Sequence, residues 1–292
     1  GAIGYDFKDH TLELLSYRKN SKFGKKRKLF TQSVKIMQEK TFPYTFNSFD
    51  VKKNRILITP HGPDPVFYGV RGENVDSLLH ATKILKTDEK LAGYMIFKSN
   101  QGTGDHLKNE LNIENMKPYA SGKITGVISN EAKIVKGGHV FFSISSDGHE
   151  LWCAVYKPTG MSSVALGLIK GDKVCVGGGI RKASKNHPRI LNLEFIDVMY
   201  LEKNLVNSNP ICSKCNKKMK SKGKNQGYQC IKCSKKSTNK IILEIPRNIK
   251  KQLYLPNVSA HRHLSRPLQR IGRINEESKF DESASWFCVY EK

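Results

Sequence analysis

The chain has 292 residues, 38% hydrophobic and 26% charged, with 50 Lys and Arg against 26 Asp and Glu and a formal net charge of +24. That length holds two or three domains, and the basic excess points to RNA, DNA or an anionic membrane as partner. No run of eighteen apolar residues occurs, which excludes a transmembrane helix, and Asp6, Lys8 and Asp9 argue against a signal peptide at the front. Seven Cys, an odd count with CxxC spacing, favour a reducing, cytoplasmic setting.

Residues 7–117 mix helix and strand signals. HTLELLSYR (10–18) fits either period. FTQSVKIMQEK (30–40) places Ser33, Val34 and Met37 on one helical face, and VDSLLHATKILK (75–86) does the same with Leu78, Leu79, Thr82 and Leu85. RILIT (55–59), VFYGV (66–70) and YMIFKSN (94–100) read as strands. The order predicts an α+β domain of ferredoxin-like type. His61-Gly62-Pro63-Asp64-Pro65, closing on Arg71, is either a rigid loop for a cation or phosphate or an ordinary Pro-rich turn. Asn100-Gln101-Gly102-Thr103-Gly104-Asp105-His106 is either a ligand loop or a turn capped by its own side chains. No Walker A, HExxH or G-x-S-x-G pattern occurs.

Residues 118–205 read as all-β. Strands at 123–129, 139–145, 150–156, 172–180 and 189–202, with an Asp147-Gly148 hairpin turn and a short helix at 162–169, follow the order of an OB-fold barrel. Phe141, Tyr156, Lys157 and Arg181 are candidates for a single-strand-binding face, each also explicable as core or plain surface. Cys153 and Cys175 alternate with apolar neighbours and are expected to be buried thiols.

Residues 206–245 carry the strongest signal. Cys212-x-x-Cys215, fourteen residues, then Cys230-x-x-Cys233 is the spacing of a tetrahedral S₄ site. Four thiolates leave no open position, so a structural Zn²⁺ is expected; two disulfides are the alternative, and nothing else suggests export. Between Leu201 and Lys251 stand fourteen Lys or Arg and two carboxylates, half of the net charge. Lys217, Lys218, Lys220, Lys222 and Lys224, with Tyr228 among them, are therefore candidates for nucleic-acid contact. Residues 246–292 add a basic segment with Arg266 and Arg270 as further candidates, His261 and His263, and an aromatic end at Trp286, Phe287 and Tyr290 that can dock as a strand.

The strings HGPDPVFYGVRG, NQGTGDHL, GGHVFFSI, GDKVCVGGGI and CSKCNKKMKSKGKNQGYQC, in this order, make the chain resemble the archaeal 2-agmatinylcytidine synthetases of the AUA-reading isoleucine tRNA. The resemblance implies an ATP-dependent ligase, with Mg²⁺, that joins agmatine to C2 of the wobble cytosine in a CAU anticodon to form agmatidine. It also implies a multidomain α+β chain. Residues 1–6 would be the remnant of a kinase-like domain, 7–117 a ferredoxin-like domain, 118–205 an OB-fold, 206–245 a zinc ribbon and 246–292 a basic tail. Cys212, Cys215, Cys230 and Cys233 match the ribbon ligands. His61, Asp64, Arg71, Asn100, Gln101, Thr103 and Asp105 stand in the family's motif blocks as substrate-binding candidates, with Asp64 suited to the dication agmatine.

Two departures matter. Thr103-Gly104-Asp105 replaces a Thr-Asp pair, which weakens the case for Asp105. The acidic Asp-Asp-Thr-Asp stretch of the kinase-like domain does not occur, so a carboxy-terminal portion, inactive alone, is expected. The alternative is a non-catalytic OB-fold and zinc-ribbon module for RNA or single-stranded DNA. The discriminating feature would be an HGPDP loop lying next to the NQGT loop.

Overall fold

The computed structural model describes residues 8–185, 187–276 and 285–290. The ambiguous 10–18 stretch is a strand, β1 (Thr11–Arg18), in which Leu12 and Leu14 alternate into a core shared with two helices. α1 (Thr31–Lys40) buries Ser33, Val34 and Met37 as its spacing predicts. β2 (Thr45–Phe46), β3 (Phe49–Asp50) and β4 (Arg55–Ile56) are short. The strand expected over 55–59 is two residues long; past it the Leu57 amide still donates to the Ser48 carbonyl (3.0 Å) and the Ile58 carbonyl accepts from the Gly69 amide (2.8 Å), and from Pro60 on the prolines remove ladder donors.

β5 (Val66–Gly72) leads to α2 (Val75–Ile84), whose first turn is capped by Asn74 Oδ1 accepting from the Ser77 amide at 2.8 Å. Leu78 and Ala81 face the core from α2, while Leu79 and Thr82 are only half-buried. β6 (Leu91–Ser99) completes a sheet ordered β6-β1-β5-β2, with every neighbour antiparallel and both helices packed on its core.

A closed five-stranded barrel follows. It is built from β7 (Ser121–Ile134), β8 (Val140–Ser146), β9 (His149–Val155), β10 (Lys173–Arg181) and β11 (Ile190–Tyr200). β10 pairs with both β7 and β11, and β9 meets β11 in parallel. α3 (Ser162–Gly167), after β9, adds Ala165 to the core with the flanking Met161 and Leu168. Asp147 and Gly148 make the β8–β9 hairpin with positive φ at both residues, as an Asp-Gly turn requires.

Closure depends on Gly177-Gly178, where the β10–β11 register shifts. A Cβ on Gly178 would lie 1.9 Å from the Asn192 carbonyl oxygen. Cys153 is in the core, where burial pushes its thiol up. Cys175, expected to be buried, stands half-buried between core-facing Val174 and Val176.

β12 (Leu205–Ser208) pairs with β16 (Ile241–Glu244) as a stalk, beyond which β13 (Lys220–Ser221), β14 (Tyr228–Gln229) and β15 (Lys236–Ser237) form a small sheet. β17 (Leu253–Tyr254) returns to β11 of the barrel. β18 (Phe287–Val289) adds to the free edge of β6, so the aromatic end docks as a strand on the first domain. No described helix is long and apolar enough to cross a membrane.

Candidate metal centre and nucleic-acid interface

The four ribbon cysteines converge. One sulfur from each of Cys212, Cys215, Cys230 and Cys233 lies within 4.8 Å of the others, and Cys212 Sγ is 3.5 Å from Cys233 Sγ. A tetrahedral ion with bonds near 2.3 Å separates its ligands by about 3.8 Å, so the donor set and its spacing fit Zn²⁺.

The sequence builds this centre from two equivalent turns. The Asn216 amide donates to the Cys212 carbonyl and the Ser234 amide to that of Cys230, each at 2.8 Å. Asn216 and Ser234 both carry positive φ, turning the chain back one residue after the second cysteine of each pair. Backbone amides of Cys233 and Lys232 draw the Cys230 thiol down to about 7. A hydrogen bond to the Cys233 sulfur pushes Cys215 up to about 12. Four thiolates at these distances therefore need a bound cation.

Met219 and Tyr228 are the other residues buried around the cysteines. Tyr228 is only 7% exposed and fills this small core instead of facing a base as expected. The lysines behave differently. Lys217, Lys218, Lys220, Lys222 and Lys224 are all exposed, as are Lys214, Lys232, Lys235, Lys236 and Lys240. Residues 209–240 contain no Asp or Glu, and none of these ten ammonium groups has an ion-pair partner among the described residues. An open groove of about 940 Å³ runs past Lys224, Asn225, Gln226, Asn239 and Lys240.

The two motif blocks of the first domain lie at opposite ends of its sheet. Val66 pairs with Tyr17, while Arg71 pairs with Glu13 and Ser99 with Thr11. The five-residue run between Val66 and Arg71 spans about 17 Å at ~3.3 Å per residue. The HGPDP loop is therefore not beside the NQGT loop, which removes that juxtaposition as a discriminator.

Arg27, which the sequence did not single out, braces the HGPDP loop. Its guanidinium donates to the carbonyls of Gly62 (2.8 Å), Asp64 (2.6 Å) and Val66 (2.8 Å). Asp64 Oδ1 accepts from the Val66 amide at 2.9 Å and lies 3.3 Å from Arg27, with the side chain partly exposed. His61 contacts Arg55 at 2.9 Å on the surface.

Asn100, Gln101 and Thr103 are buried. Their loop is a cradle for residues 261–276. The Gly102 amide donates to the His263 carbonyl (2.8 Å) and the Gly104 amide to that of Leu264 (2.7 Å). Gly102 has φ +69°, and a Cβ there would lie 2.9 Å from the Phe46 ring, so glycine is required twice over. Thr103 Oγ1 donates to the Asn100 carbonyl, and Gln101 Nε2 to Glu13. Glu13 also pairs with Arg71, whose guanidinium donates to His263 Nδ1 at 2.8 Å. Asp105 is held by Lys108.

Arg266 and Arg270, expected on the RNA-facing surface, are turned inward. Arg270 is 0% exposed; it pairs with Asp9 (2.7 Å) and Glu73 (2.9 Å) and donates to the Gly102 carbonyl. Arg266 reaches Asp9 (2.6 Å) and the Thr103 carbonyl (2.8 Å), and Arg273 pairs with Glu73. Farther along, Glu194 of β11 accepts from Ser265 Oγ at 2.6 Å and pairs with His106 at 3.0 Å, tying the barrel to the same segment.

Burial holds His261 and His263 below the ordinary histidine value, with Arg71 adding to the effect at His263. A depressed folded pKa contributes stability that is complete above the unfolded value of about 6.5 and is lost as pH falls through the folded value. The thermal midpoint is therefore expected to drop as pH falls from about 7.5 to about 5.5, with Gln at both positions flattening the slope. Melting curves across that range check it, and an unchanged slope in the double variant would contradict it.

A closed barrel is thus joined to a ribbon that carries four converging cysteines and a surface of exposed lysines without ion-pair partners among the described residues. The TiaS FLD domain profile matches residues 1–106, and the TiaS C-terminal zinc ribbon domain profile matches residues 209–249. The isoleucine-tRNA 2-agmatinylcytidine synthetase TiaS of Cenarchaeum symbiosum (strain A) is 48% identical over 290 residues, which are 99% of this chain and 65% of that protein. The crystal structure of TiaS in complex with its isoleucine tRNA and ATP superposes with a TM-score of 0.81 at 34% identity, covering 95% of this chain and 63% of that one. A complex of TiaS with the same tRNA, AMPCPP and agmatine gives 0.78 at 32% identity, covering 95% and 63%. The chain belongs to the TiaS family, and it spans a little under two thirds of the length of these relatives.

Proposed function

We propose that this chain is the tRNA-recognising portion of an ATP-dependent 2-agmatinylcytidine synthetase, which conjugates agmatine to the wobble cytosine of the AUA-reading isoleucine tRNA with its CAU anticodon. The observation that carries the reading is the unpaired lysine surface of the ribbon within a chain whose solved relatives include complexes with isoleucine tRNA, ATP and agmatine. The antiparallel order β6-β1-β5-β2, with a helix after β1 and another after β5, supports a ferredoxin-like first domain. Closure of β7-β8-β9-β11-β10, with α3 between the third and fourth strands of the barrel, supports an OB-fold.

In this reading the ribbon and barrel hold the anticodon arm. Four thiolates keep zinc as a structural ion with no part in bond-making. ATP with Mg²⁺ would activate the C2 oxygen of the cytosine, and a kinase-like domain beyond the family portion seen here would hold them. The target base is already unpaired in the loop, so extruding it costs less than the few kcal/mol roughly needed from a duplex. Asp64, with its carboxylate at the surface of the Arg27-braced loop, is the candidate for the agmatine cation.

The test is binding of the chain at fixed salt to two tRNAs that share a CAU anticodon, the AUA-reading isoleucine tRNA and elongator methionine tRNA. A preference of tenfold or more for the isoleucine tRNA is expected, with affinity falling steeply as salt rises. Equal affinity for both tRNAs and for unrelated single-stranded DNA would overturn the recognition role and leave a general basic binder.

A further inference from the structure

One exposed aromatic residue is held where its backbone gains nothing. Tyr119 is 80% exposed and has φ +69°, a left-handed conformation that a bulky L-residue adopts at a cost glycine avoids. It is fixed there from both sides. Its amide donates to the Ile180 carbonyl at 2.8 Å, and the Ile180 amide donates to the Ala120 carbonyl at 2.8 Å. The Arg189 guanidinium binds the Met116 carbonyl and ties the same turn to the far end of the β10–β11 loop. The ring makes no aromatic or cation contact with any described residue, so packing does not account for it.

The β10–β11 loop beside it has one sign. Residues 173–193 carry Lys173, Arg181, Lys182, Lys185 and Arg189 and no carboxylate. Arg181, Lys182 and Lys185 are exposed and enter no ion pair among the described residues. The Ser184 amide donates to the His187 carbonyl at 3.0 Å, which folds this loop back on itself beside the turn. Gly179, opposite Ser121 at the start of β7, leaves bare backbone next to Arg262. An isolated ring beside cations and an uncovered main chain has the elements used for single-stranded nucleic acid, in which a base stacks on the ring and the flanking phosphates lie along the cations.

We propose that Tyr119 is a base-stacking platform for an unpaired RNA nucleotide, with Arg181, Lys182 and Lys185 holding the neighbouring phosphates. The proposal rests on the tRNA-binding reading above and deepens it, since it assigns one nucleotide contact to the barrel and leaves the ribbon as a separate one.

The test is affinity for a transcript of the AUA-reading isoleucine tRNA, measured with the full chain at fixed salt beside its melting temperature. Tyr119→Gly removes the ring and relieves the backbone; binding should weaken by about 5- to 150-fold while the melting temperature stays level or rises. Tyr119→Phe keeps the ring and should bind like the parent. Lys182→Ala with Lys185→Ala should weaken binding and reduce its salt dependence by about 0.7 per lost phosphate contact. The proposal is overturned if Tyr119→Gly binds like the parent, or if Tyr119→Phe loses as much as Tyr119→Gly. A parent chain that binds no tRNA overturns the underlying reading and this contact with it; a parent that binds, with Tyr119→Gly unaffected, removes the contact alone.

Discussion

Chelation of the metal is expected to unfold the ribbon while the barrel and the first domain stay folded. Inside the ribbon only Met219 and Tyr228 join the cysteines in a buried cluster, and ten exposed lysines repel one another across the surface. Two buried side chains supply about 3–6 kcal/mol, too little to order the ribbon against that repulsion and the chain entropy. Structural zinc contributes about 10–16 kcal/mol and makes up the difference. The barrel has its own core around Phe142, Ile144, Leu151 and Val176 and needs no metal. Hydrogen exchange after chelator treatment should therefore show fast exchange across 209–240 with protection retained across the barrel strands. Cys215→Ser should reproduce the pattern, and tRNA affinity should fall although every lysine is still present. A ribbon that stays protected without metal would mean that the thiols are held by another bond.

Arg270→Ala is expected to be the most damaging single change outside the ribbon. The guanidinium is shut off from solvent and serves Asp9, itself 1% exposed, and Glu73. Its loss leaves the buried Asp9 and the partly buried Glu73 short of a partner, which costs about 3–5 kcal/mol. Lys at the same position keeps the charge but not the fork that reaches Asp9, Glu73 and the Gly102 carbonyl together, so it should recover only part of the loss. Denaturant titration gives the magnitude, and exchange in 261–276 shows whether the segment has come away. A loss under about 1 kcal/mol would mean that Arg266 and Arg273 sustain the joint without it.

The zinc ligands were legible because a metal site is written locally, in two pairs whose spacing is dictated by one tight turn each. The Asp147-Gly148 hairpin and the α1 and α2 faces were legible for the same reason. Residues 10–18 were not, since Leu12, Leu14, Leu15 and Tyr17 satisfy both periods until the helices that cover Leu12 and Leu14 are known. The NQGTGDH run looked like a ligand loop because it is dense in polar groups. Among its side chains, Thr103 bonds to Asn100, Gln101 to Glu13 and Asp105 to Lys108, while its backbone groups meet His263, Leu264 and Arg266, some 160 residues away, and no local pattern reports those partners.

Arg266 and Arg270 were misplaced by the same blindness. An arginine in a basic tail reads as phosphate-seeking until Asp9 and Glu73 are found beside it. Tyr228 sat among lysines and read as a candidate for nucleic-acid contact, yet a fold built on a metal has few side chains to fill its interior and uses that ring. Arg27 left no signal, because most of its acceptors are backbone carbonyls that any sequence would supply.

The return of residues 261–276 and of β18 to the first domain has a consequence for how the molecule is made. Synthesis runs from the amino end, so the Asp9 and Glu73 carboxylates and the outer edge of β6 emerge before the barrel and the ribbon. The arginines and the strand that cover them come only after the barrel and the ribbon have been translated. The barrel can close on the ribosome from contiguous chain, and the ribbon can load its metal there. The first domain is thus sealed only after the barrel and the ribbon that follow it, and the long-range pairings that seal it form only once residues 261–276 and β18 have been made.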